Sequence, residues 1–241
     1  MSKGVIGLLL CAVFARESKA DTFVSIGDSI TSGTHAEPDT NHGFHYSWAN
    51  GDLIERNFAS QTGMDVALNI SLPGAITEIL GYQVAFAEHV EANYVSILAG
   101  SNDMCWGRGH KVLDKIREYV ARLSEKPHVK RILVGTIPDL EQVYQIGRLR
   151  PYCAAITAVM CPNFFPRPLE YRQGVMKQIK DVNAEIKALE AEFPKLTVID
   201  QLDEQVYLQE DISVVDCFHP SKVGQQKIAD AFADAFFSNP H

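Results

Sequence analysis

Short apolar runs rich in β-branched residues alternate with longer stretches of helical spacing along almost the whole chain, and no other feature limits the fold as much. The runs at 22–26, 64–70, 94–99, 131–135 and 195–199 read as strands, bounded by turn residues such as Gly27 and Gly100. Between them, 48–61, 75–90, 112–125, 171–193 and 221–237 carry apolar residues at helical intervals, as in Ile76, Ile79, Leu80, Val84 and Ala87. Strands that alternate with helices pair in parallel, because a parallel neighbour needs a crossover and the crossover is right-handed. The expected fold class is α/β, a flavodoxin-like three-layer α/β/α sandwich with a five-stranded parallel sheet. In such sheets ligands sit beyond the carboxyl ends of the strands. Ser29, Gly74 and Asn102 follow the first three strands, so the topology alone brings them to one rim. From Pro138 to Pro168 the pattern weakens into an elaborated loop, with room for one or two helical turns at 154–159.

A chain of 241 residues that is 46% hydrophobic can bury one sizeable core, and no linker, low-complexity tract or internal repeat divides it. A single domain over 21–241 is expected. Its formal charge of −8 lacks the basic footprint of a phosphate binder, which excludes nucleic acid as a partner. Arg148 and Arg150, with Arg167 nearby, read as a solvated loop face.

The first twenty residues differ from the rest. Lys3 precedes an apolar run from Val5 to Ala15, and Ser18-Lys19-Ala20 offers small residues around a cleavage point. The run is shorter than the ~20 apolar residues of a membrane span, so 1–20 reads as a signal peptide and the protein as secreted or periplasmic. Export leaves Cys105, Cys153, Cys161 and Cys217 in a compartment that permits disulfides. Four cysteines allow three pairings. The favoured one closes Cys153 with Cys161 inside one loop and leaves Cys105 with Cys217.

Three short blocks carry chemistry: Gly27-Asp28-Ser29 after a strand, Gly100-Ser101-Asn102-Asp103 after another, and Asp216-Cys217-Phe218-His219 near the C-terminus. Gly-Asp-Ser alone arises by chance in roughly 5% of chains this long, but all three in order are expected on the order of 10⁻⁴ of the time, so they are read together. A serine hydroxyl needs a base within hydrogen-bonding reach to become a nucleophile. His219 is the candidate base, and Asp216, three residues earlier, can fix its tautomer. Backbone N–H groups of Ser29 and Gly74 and the Asn102 amide are the candidate oxyanion donors. Asp28 is expected to bond nearby amides in its turn, and Asp103 to be a loop or helix-cap residue. The Gly-x-Ser-x-Gly elbow of α/β-hydrolases is absent.

These blocks, with Gly74 in the place of a further one, resemble the SGNH/GDSL hydrolase family. The resemblance spans Gly27 to His219, with Ile30 where the family's name has leucine. Gly100 to Cys105, Asp216 to Ser221 and Pro138-Asp139-Leu140 are similar to its phospholipase B-like and bacterial secreted lipase-esterase branch. The resemblance implies hydrolysis of carboxylic esters through an acyl-enzyme on Ser29, without metal or organic cofactor. The partner would be a small-molecule or lipid ester, with transient contact at lipid interfaces. Carbohydrate acetylesterases and thioesterases use the same site, and an inactive binding module is the alternative outside catalysis. His35, His42 and His45 with Asp39 are the one cluster of metal-ligating types, but their spacing fits no familiar zinc pattern and no metal is expected. His45, Trp106 and Phe218 are expected to line the substrate pocket.

Overall fold

A computed structural model describes residues 20–38 and 44–238. The proposed signal peptide, up to Lys19, lies outside the described residues, as do Asp39 and His42. Five strands, β1 (Thr22–Gly27), β2 (Val66–Asn69), β3 (Tyr94–Leu98), β4 (Arg131–Gly135) and β5 (Leu196–Ile199), form one all-parallel sheet in the order β2-β1-β3-β4-β5. That is the flavodoxin-like order, and it reverses direction between β1 and β3, where such sheets open a crevice.

The helices are α1 (Ser29–Ser32), α2 (Phe58–Thr62), α3 (Leu80–His89), α4 (Ser101–Cys105), α5 (Val112–Ser124), α6 (Leu140–Gly147), α7 (Cys153–Met160), α8 (Leu169–Ala188), α9 (Gln201–Glu204) and α10 (Lys222–Ser238). Alternate strand residues feed two cores. Phe23, Leu98, Leu133 and Ile199 pack with Trp48, Phe58 and Phe232 from α2, α10 and the segment before α2. Val24, Val95, Ile132 and Val198 face Leu80, Ile116 and Ile179 from α3, α5 and α8. Burial on both faces explains why β1, β3, β4 and β5 read as apolar runs rather than alternating ones, while the edge strand β2 is only part-buried. Among the described residues, no helix is long and apolar enough to cross a membrane.

Two segments differ from the sequence expectation. The helical spacing of 48–61 is realised as helix only from Phe58; before it the chain folds back on itself, and a Cβ on Gly51 would come within 2.4 Å of the His45 carbonyl oxygen. The expected loop at 138–168 holds two helices, α6, which the sequence reading lacks, and α7, which extends the turns allowed at 154–159. Asp139 starts the first by accepting from the N–H groups of Glu141 and Gln142, the capping that an aspartate supplies best.

The cysteine pairing is corrected. The bonds are Cys105–Cys161 and Cys153–Cys217, with Cα atoms 4.5 and 5.6 Å apart. Cys153 and Cys161 cannot close on each other because α7 runs between them. Eight helical steps at about 1.5 Å separate their Cα atoms by about 12 Å, beyond the ~7 Å reach of a disulfide.

Candidate active site

Gly27 ends β1 where the chain passes so close to β3 that a Cβ would sit 2.4 Å from the Leu98 carbonyl oxygen. Only glycine fits there. Asp28 then caps the short α1, its Oδ1 accepting from the Ile30 N–H at 2.9 Å, the turn role read from the sequence. Two buried glutamines fix this corner. Gln83 exchanges two hydrogen bonds with the Gly27 backbone, and Gln225 of α10 donates to the Ile30 carbonyl. Neither glutamine carried a sequence signal, since a mid-helix glutamine looks the same whether it faces water or reads a backbone.

Ser29 therefore stands at the end of β1 with its hydroxyl held, and its Oγ lies 2.7 Å from His219 Nε2. His219 Nδ1 lies 2.5 Å from Asp216 Oδ2. The three side chains are nearly closed off from solvent, between 2 and 6% exposed, so their bonds form in a medium where charge interactions are little screened. An ionised carboxylate only accepts, so the His219 proton sits on Nδ1 and the Nε2 lone pair faces the serine hydroxyl. Asp216 Oδ1 accepts from the backbone N–H groups of Phe218 and His219. Burial pushes the Asp216 carboxyl up, but the bond to His219, the charge that ring carries when protonated, the His219 backbone N–H and His35 together hold it well below the usual carboxylate range.

Asn102 lies in α4, after β3. Its Nδ2 donates to the Ala75 carbonyl at 2.9 Å and reaches Asp28 Oδ2 at 3.4 Å. The second contact is at the edge of hydrogen-bonding range, so that hydrogen is the one a stronger acceptor would take. The same two contacts link Asn102 to the neighbours of Ser29 and Gly74. Gly74 has φ +80° and is exposed, and neither its N–H nor that of Ser29 donates to any described residue. Asp103 lies inside α4 and is not its cap. It accepts from the N–H and hydroxyl of Thr77 and so ties α4 to the chain entering α3. Complete burial pushes Asp28 up to about 7, against the Ile30 N–H and the charge of His219; Asp103 is also raised by burial.

Asp216 and His219 lie outside regular secondary structure. Their turn closes through Ser213 N–H to the His219 carbonyl and Cys217 N–H to the Ser213 carbonyl, with Cys217 at φ +60°. The Cys153–Cys217 bond fastens it to α7, and Arg150 donates to the carbonyls of Gln209, Ile212 and Ser213. Arg150 is thus a loop anchor rather than the solvated residue expected, while Arg148 and Arg167 are exposed.

The three residues assigned to a substrate pocket are not gathered in one described cavity. His45 pairs with Asp52 beside a shallow pocket of about 310 Å³ that also touches Phe44 and Asn69. Trp106 is half exposed, and Phe218 is buried against Phe165 behind His219. Of the histidine cluster, the two described members part: His45 turns to Asp52 and His35 to Asp216, with Nδ1 2.8 Å from Oδ2. His35, Asp216 and His219 offer ligand atoms close together, but contacts of 2.5 and 2.8 Å are hydrogen bonds. Donor atoms around a tetrahedral zinc with bonds of about 2.0–2.1 Å would stand about 3.3 Å apart.

A parallel sandwich that carries serine, histidine and aspartate bonded in that order beside its switch point has the constellation of a serine hydrolase. A family model described as the GDSL-like Lipase/Acylhydrolase family matches residues 25–227. The chain belongs to that family and is a carboxylic ester hydrolase. Solved structures share the fold at low identity. A lipase/acylhydrolase from Enterococcus faecalis superposes with a TM-score of 0.59 at 22% identity, over 90% of this chain and 96% of its own. A member of the lipolytic protein G-D-S-L family from Veillonella parvula gives 0.59 at 16%, over 91% and 100%. The psychrotrophic esterase EstA from Pseudoalteromonas sp., in a structure inhibited by monoethylphosphonate, gives 0.57 at 17%, over 90% and 97%. No curated protein matches the chain.

Proposed function

We propose that this protein is an exported serine esterase of lipase or lysophospholipase type that works through an acyl-enzyme on Ser29. The observation that carries the reading is the unbroken chain Ser29 Oγ–His219 Nε2, His219 Nδ1–Asp216 Oδ2. His219 Nε2 takes the hydroxyl proton as Oγ attacks the ester carbonyl, and Asp216 stabilises the imidazolium that forms. The oxyanion is held by the N–H groups of Ser29 and Gly74 and by the Asn102 hydrogen that now reaches weakly toward Asp28. Collapse breaks the ester C–O bond as His219 returns the proton to the leaving alcohol. Water then repeats the sequence in reverse roles, releasing the acid and restoring Ser29.

Two further observations support the finer parts of the proposal. The disulfides suit an oxidising compartment, in keeping with a cleaved leader. Exposed apolar side chains stand near Gly74 and the last two blocks: Leu72 near Gly74, Trp106 after α4, and Tyr152, whose hydroxyl donates to the Val214 carbonyl near Asp216. Such a rim suits an apolar acyl chain and a lipid surface better than a polar sugar. Hydrolysis of p-nitrophenyl esters from acetate to palmitate tests this. The wild type should prefer acyl chains longer than acetate, and Ser29→Ala should fall by about 10⁵-fold or more. An acetate optimum would overturn the lipid reading. A wild type inert to all the esters and unlabelled by a fluorophosphonate would overturn the hydrolase reading itself.

A further inference from the structure

Asp216 binds a second histidine that the acyl-enzyme mechanism does not use. Its Oδ2 faces His219 Nδ1 at 2.5 Å and His35 Nδ1 at 2.8 Å, while Oδ1 holds two backbone N–H groups. Four donors fill the roughly four lone-pair directions of a carboxylate. The two rings meet edge to face, with centroids 5.6 Å apart. His35 itself is held for this contact. Its φ of +57° lies in the left-handed region that residues other than glycine seldom occupy, and its carbonyl accepts the Ser213 hydroxyl at 2.5 Å. Ser213 in turn bonds the His219 carbonyl through its N–H. Backbone and ring of His35 are therefore both engaged with the turn that carries Asp216 and His219. An uncommon backbone conformation kept beside reacting groups is a reason to look for a role there.

We propose that His35 is a positioning residue that donates from Nδ1 to Asp216 Oδ2, and so fixes the carboxylate plane in which His219 is held. The proposal rests on the serine hydrolase reading above. The backbone donors pin only Oδ1, about which the group can still rock; a second donor on Oδ2, coming from outside the turn, removes that freedom. His35 touches neither Ser29 nor the reacting carbonyl, so its loss should lower the rate of the chemical step and leave substrate binding alone.

Two variants separate this role from packing. His35→Gly accepts the left-handed backbone freely and removes the donor. His35→Asn also tolerates that backbone, and its amide N–H stands close to where Nδ1–H was. In His35→Gly, kcat for a p-nitrophenyl ester and the rate of Ser29 labelling by a fluorophosphonate should each drop about tenfold with KM unchanged. In His35→Asn both should stay within about twofold of wild type. Equal losses in both variants, a change confined to KM, or no change in either would overturn the proposal. Ring ¹⁵N–¹H spectra of the wild-type protein test the bond without any substrate. Protonated Nδ1 on both His35 and His219 is expected, and an unprotonated His35 Nδ1 would overturn the assignment. A wild type that neither labels nor hydrolyses would overturn the hydrolase reading instead, and the ring spectra would still decide the bond.

Discussion

Ser29 and Asn102 leave the ends of the paired strands β1 and β3, whereas Asp216 and His219 ride on an irregular connection between α9 and α10. The first pair inherits its position from the sheet. Backbone ladders, the Gly27 contact and the two glutamines place Ser29, and Asp103 pins α4 to Thr77. The second pair has no ladder beyond one isolated bridge, Ile212 to Pro220. It is held by side chains and a covalent bond: Cys153–Cys217, Arg150 on three carbonyls, Ser213, and His35. A site assembled from a rigid half and a fastened half should respond differently when each is disturbed.

The largest contrast is chemical. Asp216→Ala leaves His219 free to take the wrong tautomer and should lower kcat by about 10⁴-fold. Asn102→Ala removes one of the three proposed oxyanion donors and should cost about 10²–10³-fold. Single-turnover rates on one ester compare them directly. Equal losses would mean that the two halves do not divide the work as described.

The disulfides test the fastening. They close loops of similar sequence separation, 64 and 56 residues, so chain entropy assigns each about 4 kcal/mol of stability. Their catalytic effects should differ. Replacing Cys153 and Cys217 with alanine should lower kcat about tenfold in molecules that remain folded, because the Asp216 turn loses its tie to α7. Replacing Cys105 and Cys161 should leave kcat within about threefold, since α4 keeps its strand and its Asp103 bonds. Urea midpoints and kcat for the two double variants check both parts. A matching kcat loss in the second variant would place the nucleophile half under the same dependence.

The same division decides what could be read from the sequence. The sheet was legible because strands buried on both faces must be continuously apolar, and the serine, asparagine and glycine blocks follow them at once. Asp-x-x-His was legible because its geometry is local. His35 was not, since its partner is 181 residues away and its own neighbourhood offers Asp39 rather than Asp216. The cysteine pairing failed because one or two helical turns at 154–159 still leave a loop that can close, whereas α7 runs unbroken from Cys153 to Met160 and holds the two cysteines apart. The spacing of Leu53, Ile54 and Phe58 suggested a longer α2, yet Gly51 lets the chain fold back before it. Apolar periodicity reports a buried face and not the backbone path that produces it.

The smallest effect compares two buried aspartates with opposite pH signatures. Asp28, in the sheet-borne half, has its carboxyl raised to about 7 by burial. An acid raised on folding gives its stability below the unfolded value near 4, and loses it as pH rises through 7. Above that, the folded protein carries a charge it solvates poorly. Asp28→Asn removes the charge and keeps an oxygen for the Ile30 N–H, so it should stabilise the protein at pH 8 and change little at pH 5. The full equivalent of the shift is about 4 kcal/mol; losing the weak Asn102 contact should leave about 1–2 kcal/mol. Asp216, in the fastened half, is shifted the other way by its donors. Its contribution is present above the usual carboxylate range and fades only as pH falls through its depressed value, so Asp216→Asn should destabilise equally at pH 5 and pH 8. Urea unfolding of both variants at the two pH values separates them. A gain from Asp28→Asn that is the same at both would mean that the Asp28 carboxyl does not ionise in this window, and that the nucleophile half carries no charge penalty for the sheet to offset.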